Sequence, residues 1–264
     1  MKNMKIWLFV LVFLIAFIPN AFSEAGKYGI VEIGSASAQI NSHGSEIEVT
    51  YVITDPLGRK LGDKFVPDGD VESFREFGSF GFTGLGCNSE NPDDPNDPCY
   101  EYVEILSLES MFNLIEGTYT IEASAGRLTE FRIGIHMSDR NIDKRQNFDK
   151  EGVIDKDLTS KIQFTYSADP SKPWTVTRVA TSGSLKQDIT LARKVGWIDN
   201  DGIMTSLLKK AEAIEASIQK DRKKTTENLI KAFINEVNAQ AGKHISKEAV
   251  KMLTEDANYI MNNL

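Results

Sequence analysis

The stretch that decides the fold of the larger part of this chain is IEVTYVIT, residues 47–54. Its apolar side chains stand at alternate positions, starting from Ile47, and all but one of the positions between them are polar. Successive side chains of a strand point to opposite faces, so this pattern predicts a half-buried β-strand. We expect the strand to end at DPLG, residues 55–58, because aspartate, proline and glycine are typical of tight turns.

The same alternation returns along the chain as far as residue 180. Clusters of Gly, Pro and Asn separate the segments, and no long helical pattern intervenes, which disfavours a βαβ sheet. Residues 138–159 are polar without a clear period and are interpreted as a long connection with room for a helical turn. For residues 24–195 we therefore predict an all-β antiparallel sandwich of about seven or eight strands. The further strands are predicted at residues 30–40, 102–108, 119–123, 131–137, 162–166 and 174–180.

The character of the chain changes after Gly196. Apolar residues then recur at helical spacing in three stripes, over residues 203–218, 230–241 and 249–260. Asn200 and Ser246 are suited to cap the first and third helices, and Gly242 is suited to end the second. Residues 196–264 are therefore predicted to form a small all-α bundle of three helices.

The first 23 residues have the parts of a secretory signal peptide. Two lysines precede an apolar run at residues 6–18, and small residues occupy the exit at Ala21 and Ser23. A membrane span needs roughly 20 apolar residues, which makes an uncleaved anchor the less favoured alternative. We predict cleavage between Ser23 and Glu24, and a secreted or extracytoplasmic mature protein with no membrane association.

The net charge excludes some partners. The chain has a formal net charge of −8, and residues 1–23 hold two lysines and no acid, so the mature protein carries −10. Residues 198–264 are balanced, with ten basic and ten acidic side chains, so the whole excess lies in the β part. Nucleic acids and anionic membranes both require a basic surface, so neither is expected as a partner.

Both cysteines, Cys87 and Cys99, lie in the mature part of the chain. An even count in an exported protein predicts a disulfide, and the spacing does not suit a zinc pair. The segment between them, residues 88–98, is rich in Asp, Asn and Pro. We interpret it as a solvated, proline-stiffened loop; calcium binding stays an alternative, although the spacing does not match an EF-hand.

The helical part resembles a known module at FINEVNAQAGKHI, residues 233–245. This stretch, with flanks at 202–210 and 249–260, is similar to the FIMAH domain found at the C-terminus of bacterial exported proteins. The resemblance covers residues 196–261. One departure is DRKK at 221–224, where the family more often has a glycine-containing turn.

The β part has a weaker resemblance. DPLGRK at 55–60 and GTYTI at 117–121 are similar to sandwich modules of the pre-peptidase C-terminal type. The matching residues are turns and strand edges, so they concern the fold and not the chemistry. Together the two resemblances imply an accessory, non-catalytic secreted or surface protein.

No sequence motif assigns a catalytic, cofactor-binding or metal-binding residue. The nucleophile elbow, the paired-histidine zinc motif and the phosphate loop are absent, and His43, His136 and His244 stand apart. We interpret four aromatic residues as part of the core or its rim, and a sugar-binding face is the alternative; they are Trp174, Trp197, Tyr100 and Tyr102. We predict a binding or structural role towards a cell-wall or extracellular polymer or another envelope protein. The alternative is a glycan hydrolase that uses a carboxylate pair in the sandwich, since 28 acids lie there.

Overall fold

The structure is a computed structural model. It describes residues 30–39, 49–66, 70–77, 79–86, 103–111, 114–138, 145–169 and 171–264. The strands are β1 (Ile30–Gln39), β2 (Val49–Thr54), β3 (Lys60–Phe65), β4 (Val71–Arg75), β5 (Ser79–Gly86), β6 (Val103–Met111), β7 (Gly117–Ala125), β8 (Thr129–Ser138), β9 (Arg145–Ile154), β10 (Thr159–Tyr166) and β11 (Thr175–Val179). The helices are α1 (Ser182–Lys194), α2 (Asp201–Gln219), α3 (Lys223–Gln240) and α4 (Lys247–Asn262).

The strands form two antiparallel sheets that pack face to face. The first sheet has the order β5-β6-β1-β8-β9 and the second has the order β11-β10-β7-β2-β3-β4. Alternate residues of β8 and β10, for example Ile133 and Ile162, point into one shared apolar core. Within the second sheet Phe164 lies directly opposite Tyr119, and their rings stack with centroids 4.7 Å apart. The register therefore places the largest side chains at the centre of the sandwich.

The predicted turn at residues 55–58 is present, and its cause is visible. The Asp55 carboxylate accepts hydrogen bonds from the backbone N–H groups of Leu57 and Arg59 and pairs with the Arg59 guanidinium at 2.7 Å. Gly58 takes a φ of +83°, a conformation that favours glycine. The preceding strand β2 differs from the expectation in one respect: Thr50 and Val52, on its second face, are also buried.

The prediction of an antiparallel sandwich followed by a helical bundle is confirmed, but the structure contains more elements. The seven predicted strands correspond to β1, β2, β6, β7, β8, β10 and β11. Eleven strands are present in the described residues, so the predicted number of seven or eight was too low. The interpretation of residues 138–159 as a connection was wrong, because residues 145–154 of this segment form strand β9.

The bundle has four helices and not three, because α1 lies before the predicted start at residue 196. Leu185, Ile189 and Ala192 of α1 are buried in the same core as Phe233 of α3. Asn200 caps α2 by accepting hydrogen bonds from the N–H groups of Gly202 and Ile203, as the sequence predicted. The other two expected helix boundaries are also present. Ser246 caps α4 through the N–H of Ala249, and Gly242 follows α3 with a φ of +68°.

Candidate functional site at the junction of the sandwich and the bundle

A single buried arginine joins the two parts of the protein. Arg178 of β11 is 4% exposed, and its Nε donates a hydrogen bond of 2.8 Å to Asp256 Oδ1 on α4. Its Nη2 donates to Asp188 Oδ2 on α1 at 3.2 Å, and its Nη1 donates to the carbonyl oxygen of Glu151 on β9 at 3.2 Å. One planar guanidinium therefore holds two strands and two helices in fixed relative positions. We call Arg178, Asp188 and Asp256 the junction cluster.

The residue beside Glu151 makes room for this arginine. A Cβ atom at Gly152 would lie 2.8 Å from Arg178 Nη1 and 2.7 Å from the Phe131 ring. Real Cβ atoms do not come this close to other heavy atoms, so a side chain at position 152 would displace the guanidinium or the aromatic ring. Glycine is needed here for close approach of the arginine to the strand.

Burial and mutual repulsion control the charges of the junction cluster. Burial raises the pKa of the Asp188 carboxyl well above its ordinary value, the neighbouring Asp256 raises it further, and Arg178 opposes both effects. Burial alone would lower the pKa of the Arg178 guanidinium, but the two adjacent carboxyl groups raise it above its ordinary value. Two carboxyl groups that share one cation do not both ionise easily. Asp188 therefore keeps its proton to a higher pH than an exposed aspartate does.

This proton also explains an otherwise unsatisfied atom. Asp256 is fully buried, and its Oδ2 accepts no hydrogen bond from any donor in the described residues. The Asp188 side chain lies within hydrogen-bonding reach of the Asp256 carboxyl. A protonated Asp188 can donate to Asp256, which leaves the cluster with one positive and one negative charge.

Further polar contacts surround the cluster. Lys150 on β9 donates a hydrogen bond of 3.0 Å to Glu255 on α4, and Lys194, the last residue of α1, donates one of 3.0 Å to Asp155. Burial raises the pKa of the Glu130 carboxyl on β8, while a hydrogen bond to the Trp197 side chain opposes the shift. Hydrogen bonds thus connect the helices to β9 and to β11, which are edge strands of the two sheets.

A cavity lies next to the cluster, between α1 and the start of β10. It has a volume of about 360 Å³ and contains the Asp188 and Arg178 side chains in its lining. Ser160 also lines it; this residue is 8% exposed, and its hydroxyl makes no hydrogen bond within the described part of the chain. The cavity therefore presents polar groups from both parts of the protein.

Several residues singled out in the sequence lie outside the described residues. These are the predicted cleavage site at Ser23 and Glu24, the predicted disulfide of Cys87 and Cys99, the acidic loop 88–98, and His43, Tyr100 and Tyr102. Those predictions stay predictions.

The described histidines and tryptophans do not form a functional constellation. His244 pairs with Asp199 at 2.8 Å where residues 197–199 and 244–246 run side by side, whereas His136 lies on β8 of the first sheet. Trp174 is 5% exposed and stacks on Tyr166 in the sandwich core, so it is not part of an exposed sugar-binding face. Trp197 packs against the helical core and contacts Glu130 at the junction.

Within the described residues, no group of three or more His, Cys, Asp or Glu side chains is placed to hold a metal ion. None of the described helices has both the length and the apolar character needed to cross a membrane.

Sequence reasoning missed the junction cluster, although one signal was present. Asp256 stands three residues after Leu253 and four before Ile260, on the apolar stripe of the last helix. An acid at a buried helical position needs a cation, and Arg178 lies on a predicted strand between Val176 and Ala180, the apolar residues on the same face. Asp256 and Arg178 are each a charged residue at a position where the pattern is apolar, but nothing in the sequence alone indicated that they contact each other.

The comparisons with known proteins bear on the helical part. A family model described as the FIMAH domain matches residues 182–262. The predicted resemblance of the C-terminal module is therefore confirmed, and the match begins at the first residue of α1. The comparison with curated proteins and that with solved structures each find no match, and the resemblance of the sandwich to the pre-peptidase C-terminal type is not confirmed.

Proposed function

We propose that this protein, whose C-terminal part is a FIMAH domain, is an exported accessory protein with a non-catalytic binding or structural role in the bacterial envelope or exterior. The FIMAH match supports this role, because the resemblance implies a module of exported proteins. The signal-peptide pattern of residues 1–23 supports export. Its partner would be a cell-wall or extracellular polymer, or another envelope protein.

The observation that carries the proposal is the way in which the sandwich and the FIMAH domain meet. Arg178, buried between them, forms hydrogen bonds to α1, α4 and β9. Two modules joined only by a linker move independently, whereas a buried ion cluster fixes their relative orientation. A fixed orientation suits a protein that presents one continuous surface to a large partner.

The alternative function, glycan hydrolysis by a carboxylate pair in the sandwich, finds little support. Among the described residues, Asp188 and Asp256 are a buried pair of adjacent carboxyl groups, but they lie on helices of the FIMAH domain. Asp256 is fully buried and bound to Arg178, so it does not reach a substrate. A glycosidase needs both carboxyl groups beside the scissile bond.

Binding and hydrolysis are separated by one assay. Mature protein, residues 24–264, is mixed with purified cell walls and sedimented, and reducing ends are measured in the supernatant. We expect co-sedimentation without release of reducing ends. Release of reducing ends would favour the hydrolase, and no retention on either cell walls or immobilised envelope protein would contradict an accessory binding role.

Export and the predicted disulfide are tested on the same preparation. Protein recovered from the medium or periplasm is expected to begin at or near Glu24. A start at Met1 would contradict cleavage. Mass spectrometry without reduction is expected to find one linked peptide that contains Cys87 and Cys99, and two free thiols would contradict the disulfide.

A further inference from the structure

The cavity at the junction is lined by elements from both parts of the protein. Its walls are one side of α1, with Ser184, Gln187 and Asp188, and the first residues of β10, with Thr159 and Ser160. Aliphatic side chains at the ends of β9 and β11, such as Val153, complete the lining. A volume of about 360 Å³ lies at the small end of the range for small-molecule sites.

Ser160 is the residue that points to a ligand. It lies on the inward face of β10, in line with Ile162, and it is 92% buried because its exposed fraction is 8%. The neighbouring serine at 124 on β7 shows the usual arrangement, with its hydroxyl bonded to Thr50 at 3.1 Å. Ser160 Oγ has no such partner among the described residues. A buried hydroxyl left without a partner costs about 1–3 kcal/mol, so a group in the cavity that bonds to it would be stabilised.

The charges around the cavity are already neutralised within the protein. Arg178 is bound by Asp256 and Asp188, and Lys161 at the rim pairs with Glu122 on β7. Because the Asp188 carboxyl has a raised pKa, the cluster carries equal positive and negative charge when that proton is present. An ionic ligand would find no counter-charge here, and an apolar ligand would leave Ser160 unsatisfied.

We propose that this cavity binds a small uncharged polyol, about the size of one sugar residue, between the Ser160 hydroxyl and the polar face of α1. Sugar hydroxyl groups both donate and accept, as do the hydroxyl of Ser160, the amide of Gln187 and a protonated carboxyl. The aliphatic side chains of the lining contact the C–H faces of the ring. This assignment rests on the proposed binding role, and it names the polymer class as a glycan. The occupant is either a free sugar or the end of a glycan chain.

The test is calorimetric titration of the mature protein with glucose, N-acetylglucosamine and their linear tetramers. Glucosamine and glucuronic acid serve as charged analogues. We expect at least one uncharged sugar to bind, and the charged analogue of the same ring to bind at least about tenfold more weakly. Binding of a single sugar indicates a free ligand, and binding of the tetramer alone indicates the end of a chain.

Three substitutions locate the site. Ser160→Ala removes one hydrogen bond and is expected to weaken binding about three- to tenfold, with an unchanged or higher melting temperature, because the orphaned hydroxyl is gone. Gln187→Ala, at an exposed position on α1, is expected to weaken binding by a similar factor. Thr165→Ala is the matched control: it removes a hydroxyl from the same strand, whose partner is Thr118 on the outer face, and affinity is expected to stay unchanged.

The proposal is overturned if no uncharged sugar binds, if Ser160→Ala and Thr165→Ala bind equally well, or if charged and uncharged analogues do not differ. The first of these results is expected if Ser160 bonds only to water. Co-sedimentation with cell walls is scored separately in each variant. Retention on cell walls without sugar binding rejects the ligand assignment and keeps the accessory role.

Discussion

Replacement of Arg178 by methionine is the sharpest test of the junction cluster. Methionine keeps the length of the buried stem and removes the guanidinium. Asp256, with no exposed surface, then loses its only hydrogen-bond donor among the described residues apart from the proton that it shares with Asp188. Removal of one partner from a buried ion pair typically costs about 3–5 kcal/mol of unfolding free energy.

The cost of the substitution depends on pH through Asp188. Arg178 opposes the rise in the pKa of the Asp188 carboxyl, so removal of the guanidinium raises that pKa further. A carboxyl whose pKa is higher in the folded state than in the unfolded state, about 3.9, makes the folded protein less stable as the pH rises. The variant should therefore lose more stability than the wild type does between pH 5 and pH 7.

Urea unfolding at both pH values measures this difference. Far-UV circular dichroism follows the helices, and fluorescence of Trp174 and Trp197 follows the sandwich core and the junction. The matched control is Arg132→Met, because Arg132 pairs with Asp149 on the exposed side of the same sheet as β9, with side-chain exposures of 58% and 46%. An exposed pair contributes about 0–1 kcal/mol, so this variant should unfold nearly as the wild type does. The idea of a buried, charged junction cluster would be refuted if both variants lost the same unfolding free energy, or if the loss for Arg178→Met did not change with pH.

The remaining predictions concern the same junction and the helical core. Asp188→Asn removes a carboxyl whose pKa is raised in the folded state, so the wild type loses stability as the pH rises and the variant does not. In parallel urea titrations, the variant should therefore gain stability relative to the wild type by up to about 1.4 kcal/mol per pH unit above pH 4. Phe233→Ala should cost about 3–5 kcal/mol, because the ring is fully buried, and unchanged melting followed by circular dichroism would contradict that burial. An excised segment 180–264 should show cooperative helical melting, whereas 198–264 should not, because it lacks α1; equal melting curves for both would show that α1 is dispensable.

The seven strands predicted correctly share a clear alternation, and those missed lack it for identifiable reasons. In β4 the apolar pattern is absent because the strand lies at the edge of its sheet, and all its side chains except Phe74 are exposed. In β9 the pattern is obscured because helices cover its outer face. Lys150 is buried there against Glu255, and Gly152 makes room for Arg178. A single-sequence pattern assumes that one face of a strand meets water, and β9 does not satisfy that assumption.

The helical part was predictable from Asn200 onward because capping residues and apolar stripes agree. Even the departure from the family at DRKK has a local explanation: Asp221 takes a φ of +51°, the conformation that a glycine would otherwise supply, and aspartate tolerates it better than most residues. The start of the domain was not predictable in the same way. In α1 polar residues such as Gln187 and Asp188 share the helix with its three core residues, since one side of it lines the junction.

The chemistry of the junction argues that orientation, more than stability, is what the cluster provides. Apolar residues of similar volume would join the sandwich to the helices without the desolvation of three ionisable groups, and such replacements are often neutral or stabilising. Apolar contacts, however, tolerate sliding of one surface over another. A planar guanidinium that donates to Asp256, Asp188 and the Glu151 carbonyl fixes both distances and angles between four elements. The walls of the adjacent cavity come from α1 in the helical part and from β10 in the sandwich. A displacement of about 1 Å between these two parts would move the Gln187 amide away from the Ser160 hydroxyl, so that the two groups could no longer bind one ligand together. The buried charge of Arg178 is thus best explained by a site that requires the sandwich and the helical bundle to keep one fixed relative position.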